Sequence, residues 1–179
     1  MRVAVFCSSS EDVSPMFFSE IERLGESLAK DGHTVVFGGA TAGCMGALAR
    51  GVLGKKGKLV GVVPKMDFID GLVQPGMTEL HEVTCFSDRK LKMIALADAF
   101  IVYPGGIGTL DEVFEVLALK SIGTLPKPVV FYNFLDAWNP LLETLDLMVQ
   151  NRMIRHNLTD LLTVIDKHET LVEYCKHVV

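Results

Sequence analysis

No two of the four cysteines, Cys7, Cys44, Cys85 and Cys175, form a C-x-x-C pair, and none stands at zinc-ligand spacing from a histidine. A thiolate zinc site and a redox dithiol are thereby excluded, and reduced thiols in a cytoplasmic protein are expected. The five histidines do not cluster, so the sequence nominates no metal ligands. Positive charge is in deficit, with 17 Lys and Arg against 22 Asp and Glu and a net charge of −5. There is no basic stripe, which argues against nucleic acid or an anionic membrane surface as a partner. No apolar run approaches the roughly 20 residues that a membrane helix needs. The chain opens on Met1-Arg2-Val3-Ala4-Val5-Phe6, which enters a strand directly and is expected to lack the apolar core of a signal peptide. Several catalytic signatures are also missing. No Gly-Lys-Ser/Thr closes a glycine loop, and there is no H-E-x-x-H and no G-x-S-x-G. The dinucleotide fingerprint fails as well, because Gly106-Ile107-Gly108 is followed by Thr109, Leu110 and Asp111 and lacks the third glycine.

What is present is a regular alternation. Short, nearly continuous apolar runs at Val3–Phe6, Thr34–Phe37, Leu59–Val63, Phe100–Tyr103 and Val129–Tyr132 read as parallel strands covered on both faces. Helix-period segments fall between them, at about Pro15–Lys30, Cys44–Leu53, Asp88–Leu96, Leu110–Ser121 and Pro140–Val149, with a last helix over Glu169–His177. Leu80–Thr84 and Leu162–Ile165 are candidates for two further short strands. This order predicts an α/β fold with an open, doubly wound parallel sheet, in one domain spanning residues 1–179. A composition of 49% hydrophobic residues is enough to bury a sizeable core. The Asp67–Gly76 stretch, rich in Gly and Asp, is expected to form a loop over the site.

In such sheets ligands bind beyond the carboxyl ends of the strands. Three loops there carry chemistry: Cys7-Ser8-Ser9-Ser10, the run from Gly38-Gly39 to Met45-Gly46, and Pro104-Gly105-Gly106-Ile107-Gly108-Thr109-Leu110-Asp111-Glu112. The last runs from a strand into a helix. Its glycines let backbone N–H groups approach a ligand, and the helix N-terminus adds unpaired donors and the positive end of a dipole. It is an anion cradle with a carboxylate, Glu112, one turn inside. Ser8 is read as a hydroxyl donor to a ligand.

A plainer reading stands beside this one. Thr109-x-x-Glu112 is also the pattern of a capping box, with Leu110, Val113, Phe114 and Leu117 as the buried stripe and Glu112 on a solvated face. The preceding Pro-Gly-Gly-x-Gly favours the cradle, since a simple cap needs no such loop. Ser87-Asp88-Arg89-Lys90 opens another helix. Two cations there oppose the dipole and make sense with an anion nearby, Arg89 being the better bidentate partner. Met93, one turn later, is a candidate lining for an apolar base pocket beside a packing role. Phe17, Phe18 and Met16 stand in the same position, with a core role as the alternative.

Taken together, Arg89-Lys90, Ala97-Asp98-Ala99-Phe100-Ile101 and the Pro104–Glu112 motif resemble the Lonely Guy (LOG) family. Its members are cytokinin riboside 5′-monophosphate phosphoribohydrolases, often labelled lysine decarboxylases. Val5-Phe6-Cys7-Ser8-Ser9-Ser10, the Gly38–Gly46 loop and Gly61-Val62-Val63-Pro64 extend the resemblance over most of the chain. It implies a Rossmann-like fold, a homodimer, and hydrolysis of the N-glycosidic bond of AMP-like nucleoside 5′-monophosphates without metal or organic cofactor. It implies Arg89 and Glu112 as the catalytic pair. Gly105, Gly106, Gly108 and Thr109 would hold the 5′-phosphate, with Ile107 and Leu110 in the same turn. Lys90 and Asp111 would lie in the nucleotide site, flanked by Ser8, Gly39 and Met93. The chain departs from the family pattern at Ala40, Cys44 and Ser87-Asp88. Two alternatives are a non-catalytic nucleotide sensor on this fold and a DNA-processing protein, the second disfavoured by the acidic balance.

Overall fold

The computed structural model describes residues 1–66 and 71–178. The apolar runs form β1 (Arg2–Phe6), β2 (Thr34–Phe37), β3 (Lys58–Pro64), β4 (Glu79–Val83), β5 (Ala99–Val102), β6 (Val129–Tyr132) and β7 (Thr163–Ile165). Among the described residues these make one sheet in the order β4-β3-β2-β1-β5-β6-β7, with every pairing parallel. The helices are α1 (Pro15–Lys30), α2 (Gly43–Gly54), α3 (Phe86–Leu96), α4 (Ile107–Ser121), α5 (Asn139–Gln150), α6 (Leu158–Leu161) and α7 (His168–His177). The single α/β domain read from the alternation is therefore what forms. The two short candidate strands are real, as β4 and β7, and the four-residue α6 is an addition. None of the helices is long and apolar enough to cross a membrane among the described residues.

Strand alternation divides the core in two. Val3, Val5, Val35, Phe37, Ile101 and Tyr103 meet α1, α2 and α7 on one face. Ala4, Phe6, Val36, Phe100, Val102 and Phe131 meet α3, α4, α5 and α6 on the other. Both faces being covered explains why the strands read as continuous apolar runs rather than as alternating ones. At the middle of the sheet the winding reverses. β1 pairs with β2 on one side and with β5 on the other, Val3 opposite both Val35 and Ala99. The loops leaving β1 and β5 diverge there toward opposite faces, and this reversal opens the crevice in which such sheets bind ligands.

Part of the expected loop over the site, residues 67–70, lies outside the described residues. Its later part packs against the second glycine loop. Thr41 N–H donates to Leu72 O at 2.9 Å, Gln74 N–H donates to Gly39 O at 2.8 Å, and Val73 forms an antiparallel bridge with Ala40.

Away from the crevice, a polar cluster ties α7 to α1 and β6. His168 Nδ1 lies 2.6 Å from Glu20 Oε1, the Tyr132 hydroxyl donates to the same oxygen at 2.6 Å, and His168 Nε2 lies 3.0 Å from Ser27 Oγ. His168 is buried, so its removal leaves the Glu20 carboxylate short of a donor in a poorly solvated place. His168→Ala is expected to lower stability by about 2 kcal/mol without changing ligand binding, read from the midpoint of urea unfolding.

Candidate active site

The glycine turn after β5 enters α4 earlier than the apolar periodicity indicates. Gly106 is the N-cap, no side chain caps the helix, and Leu110 N–H makes the first bond back to Gly106 O at 3.1 Å. The amides of Gly106, Ile107, Gly108 and Thr109 therefore lack carbonyl partners one turn earlier, which is the donor set of an anion cradle. This overturns the capping-box alternative, because Thr109 is the third residue of the helix and not its cap. The buried stripe shifts with it. Thr109, Glu112, Val113, Val116 and Leu117 are buried, while Phe114 is 40% exposed. Glu112, placed on a solvated face by that alternative, is 7% exposed.

Arg89 approaches Glu112 from α3. Its Nη1 is 3.4 Å from Glu112 Oε1, and its Nε donates to Val62 O at 3.1 Å. Room for the guanidinium comes from Gly38 at the end of β2, where a β-carbon would fall 1.7 Å from Arg89 Nη2 and 2.9 Å from Met45 Sδ. A second close approach joins the other two loops. A β-carbon on Gly105 would stand 2.1 Å from Thr109 Oγ1 and 3.1 Å from Ser8 N, so the turn has no room for a side chain at Gly105. Lys90 bridges to α4 on the outer side, with Nζ 2.7 Å from Asp111 Oδ1 and 2.9 Å from Glu115 Oε2.

Burial decides the proton affinity of Glu112. Desolvation raises its carboxyl to about 7, with Asp111 adding to the rise, and the attraction of Arg89 and Lys90 does not cancel it. The acid is thus balanced between its two protonation states at neutral pH, a property more typical of working carboxyls than of surface ones. The neighbouring thiols are of the opposite kind. Burial pushes Cys7 well above the usual thiol range and Cys44 to about 11, so neither is a thiolate nucleophile at neutral pH.

Arg89, Glu112, Ser8, Lys90, Gly106, Ile107, Gly108, Thr109 and Asp111 line one cavity of about 430 Å³, together with Cys7, Ser9, Ser10, Met45 and Phe86. Gly105 lines a smaller adjoining cavity of about 340 Å³, shared with Ser8, Ser10, Val13, Phe17, Cys44, Pro104 and Gly106. Three nominated residues are elsewhere. Gly39, at φ 80°, is buried beneath Val63. Met93 has no exposed surface and belongs to the core under α3. Leu110 packs at the edge of that same core. Phe86 is the lining residue with no nomination from sequence, since an apolar residue at a helix start carries no signal that separates a cavity wall from a core contact. Among the described residues no cluster of three or more His, Cys, Asp or Glu is arranged to hold a metal ion.

A doubly wound parallel sheet with a glycine-rich helix start and a buried carboxyl–guanidinium pair at its winding reversal places the chain among the α/β proteins that carry a crevice at that point. Comparison with known proteins narrows this class. The family described as "Possible lysine decarboxylase" matches residues 45–175. A protein of Rhodococcoides fascians named cytokinin riboside 5′-monophosphate phosphoribohydrolase is 38% identical over 145 residues, covering 80% of this chain and 73% of that protein. An Oryza sativa subsp. japonica protein, named as a probable enzyme of the same kind, is 32% identical over 172 residues, covering 96% of this chain and 70% of its own. The chain belongs to this family, the LOG family. In structure it is similar to the molybdenum cofactor binding protein of the phototrophic bacterium Rippkaea orientalis. The TM-score is 0.74 and the identity 20%, over 98% of this chain and 94% of that one, a likeness of fold.

Proposed function

We propose that this protein is a phosphoribohydrolase that cleaves the N-glycosidic bond of a nucleoside 5′-monophosphate, AMP or an N6-prenylated AMP, to free base and ribose 5-phosphate. The observation that carries the reading is Glu112, a buried carboxyl raised to about 7 and held against Arg89, one turn inside an uncapped helix N-terminus. The amides of Gly106, Ile107, Gly108 and Thr109 take the 5′-phosphate, and phosphate binding energy positions C1′ at Glu112. As the bond from C1′ to the base nitrogen breaks, its electron pair leaves with the base, which takes up a proton from solvent, and positive charge grows on the sugar. The ionised Glu112 stabilises that charge and accepts the proton of the water that attacks C1′. Arg89 orients the carboxylate and faces the ribose phosphate. The names of the relatives support the same reaction class.

The test is chromatographic measurement of base release from AMP and from isopentenyladenosine 5′-monophosphate. Adenosine, which lacks the phosphate, is expected to have a kcat/KM at least tenfold lower. Equal turnover of adenosine overturns the role of the cradle. Nucleotide binding without base release establishes the sensor alternative instead.

The protein also acts as a homodimer in this reading. An apolar groove of about 630 Å³ between α4, α5 and α6 supports it, lined in part by Phe114, Leu117, Ile122, Met148 and Met153. Light scattering on the eluting protein gives the mass that decides the point.

A further inference from the structure

The cavity wall is polar along the serine loop and the α4 N-terminus, and apolar where Met45, Phe86 and Ile107 contribute. Phe86 is the aromatic member. It is 46% exposed, and the Arg89 guanidinium carbon lies 5.9 Å from its ring centroid. That guanidinium is itself held by Glu112 and Val62 O. The ring therefore stands within cation–π distance of a held guanidinium. Met45 borders the same guanidinium, since its Sδ and Arg89 Nη2 both crowd the space above Gly38. A ring that borders a held cation, is 46% exposed and lines the cavity is a stacking surface with little conformational freedom left to lose on binding.

The chemistry of the remaining cavity assigns the occupant. The α4 amides suit the phosphate, and Glu112 suits the sugar carbon. What is left of a nucleotide is a flat base with an apolar π-face, and Phe86 is the aromatic surface bordering Arg89 in this cavity. Resting on the phosphoribohydrolase reading of the site, we propose that the base of the substrate stacks on the exposed ring of Phe86, and that this contact fixes how much of the substrate's affinity comes from the base. The contact reads the π-face and not the edge of the base, so it favours purines over pyrimidines by area alone.

Two ligands separate this role from a structural one. AMP carries phosphate, ribose and base, and ribose 5-phosphate lacks only the base. Binding is measured by calorimetry in a Glu112→Gln background, in which turnover is slowed, with and without Phe86→Ala, Phe86→Leu and Phe86→Trp. Phe86→Ala and Phe86→Leu are expected to weaken AMP at least tenfold and to leave ribose 5-phosphate within twofold, and Phe86→Trp is expected to restore AMP. Unchanged AMP affinity in Phe86→Ala overturns the proposal. So does an equal loss for ribose 5-phosphate, which marks Phe86 as a brace for Arg89 alone. Base release by the protein with native Glu112, with and without Phe86→Ala, keeps the two readings apart. Release from AMP with an unchanged KM in Phe86→Ala removes the stacking role and leaves the reaction standing. Phe86-dependent AMP binding without any release removes the reaction and leaves the stacking role standing.

Discussion

Glu112→Gln is expected to lower base release from AMP by about 10³-fold while changing AMP affinity only slightly. The amide keeps the shape and volume of the carboxyl but can neither carry charge opposite the sugar cation nor accept a proton from water. With native Glu112, kcat/KM is expected to rise with pH along a limb centred near 7, the value to which burial raises this carboxyl, and to level off above it. The residual activity of Glu112→Gln is expected to lack that limb, and a limb that survives in the variant assigns it to another group. The same burial has a thermodynamic sign. The native carboxyl keeps its proton up to about pH 7, whereas the unfolded chain loses it near 4.5. Between those values the native state binds more protons, so stability falls as pH rises through the window. The contribution is full below 4.5 and lost above 7. Glu112→Gln removes this dependence and is expected to melt above the unsubstituted protein at pH 8, by up to roughly 3 kcal/mol, with the gap closing toward pH 4.5. Calorimetric melts at pH 5 and pH 8 read the difference. A residue that stabilises the protein when disabled carries the thermodynamic mark of function.

Gly38→Ala is expected to abolish activity almost as fully and by a different route. Its new β-carbon would occupy the place of Arg89 Nη2, 1.7 Å away. The obstructing atoms, Arg89 Nη2 and Met45 Sδ, are the ends of flexible side chains. The chain therefore relieves the clash by swinging the guanidinium off Glu112 and not by distorting β2. Displacement by an ångström or more from a working geometry costs about 10²-fold, and loss of the partner to Glu112 adds to that. A drop of 10²- to 10³-fold in kcat/KM is expected, with a far-ultraviolet spectrum and a melting temperature close to those of the unsubstituted protein. A variant that is both folded and active would place Arg89 outside the reaction.

The strands were legible because a sheet covered on both faces imposes one simple rule on them, continuous apolar character. α1 was legible in full because Pro15 and Lys30 mark its ends. The state of Glu112 was not, and the reason lies at Gly106. An N-cap without a side-chain bond leaves no trace in the sequence, so apolar periodicity alone sets the expected start of α4, at Leu110. The true start is Ile107, and the shifted stripe exchanges Phe114 for Glu112 in the interior. A functional carboxyl buried where a periodicity argument wants an apolar side chain is the conflict expected at a working site. Met93 failed in the opposite direction. It lies one turn beyond Arg89, but that helical position faces the sheet and not the crevice. Phe86 belongs to the cavity through the packing of α3 on the sheet, a tertiary fact with no local signature.

The winding reversal has a consequence in time as well as in space. β1 precedes the other strands of this sheet in the chain, yet it occupies the middle of the sheet, and its partner on the reversal side is far along the chain. Arg2 N–H reaches Asp98 Oδ2 across 96 residues at 2.7 Å. On the ribosome, at about 5–20 residues per second, β2, β3 and β4 are available to extend the sheet from one edge of β1 before β5 emerges, β5 following β4 by about 1–4 s. During that interval the other edge of β1, apolar from Val3 to Phe6, is bare, the kind of unpaired edge that invites association with other chains. The crevice exists only once β5 and α4 have docked against it. A ligand bridging the β1 and β5 loops therefore binds the closed sheet and not the half-built one, and its presence draws the nascent chain toward completion.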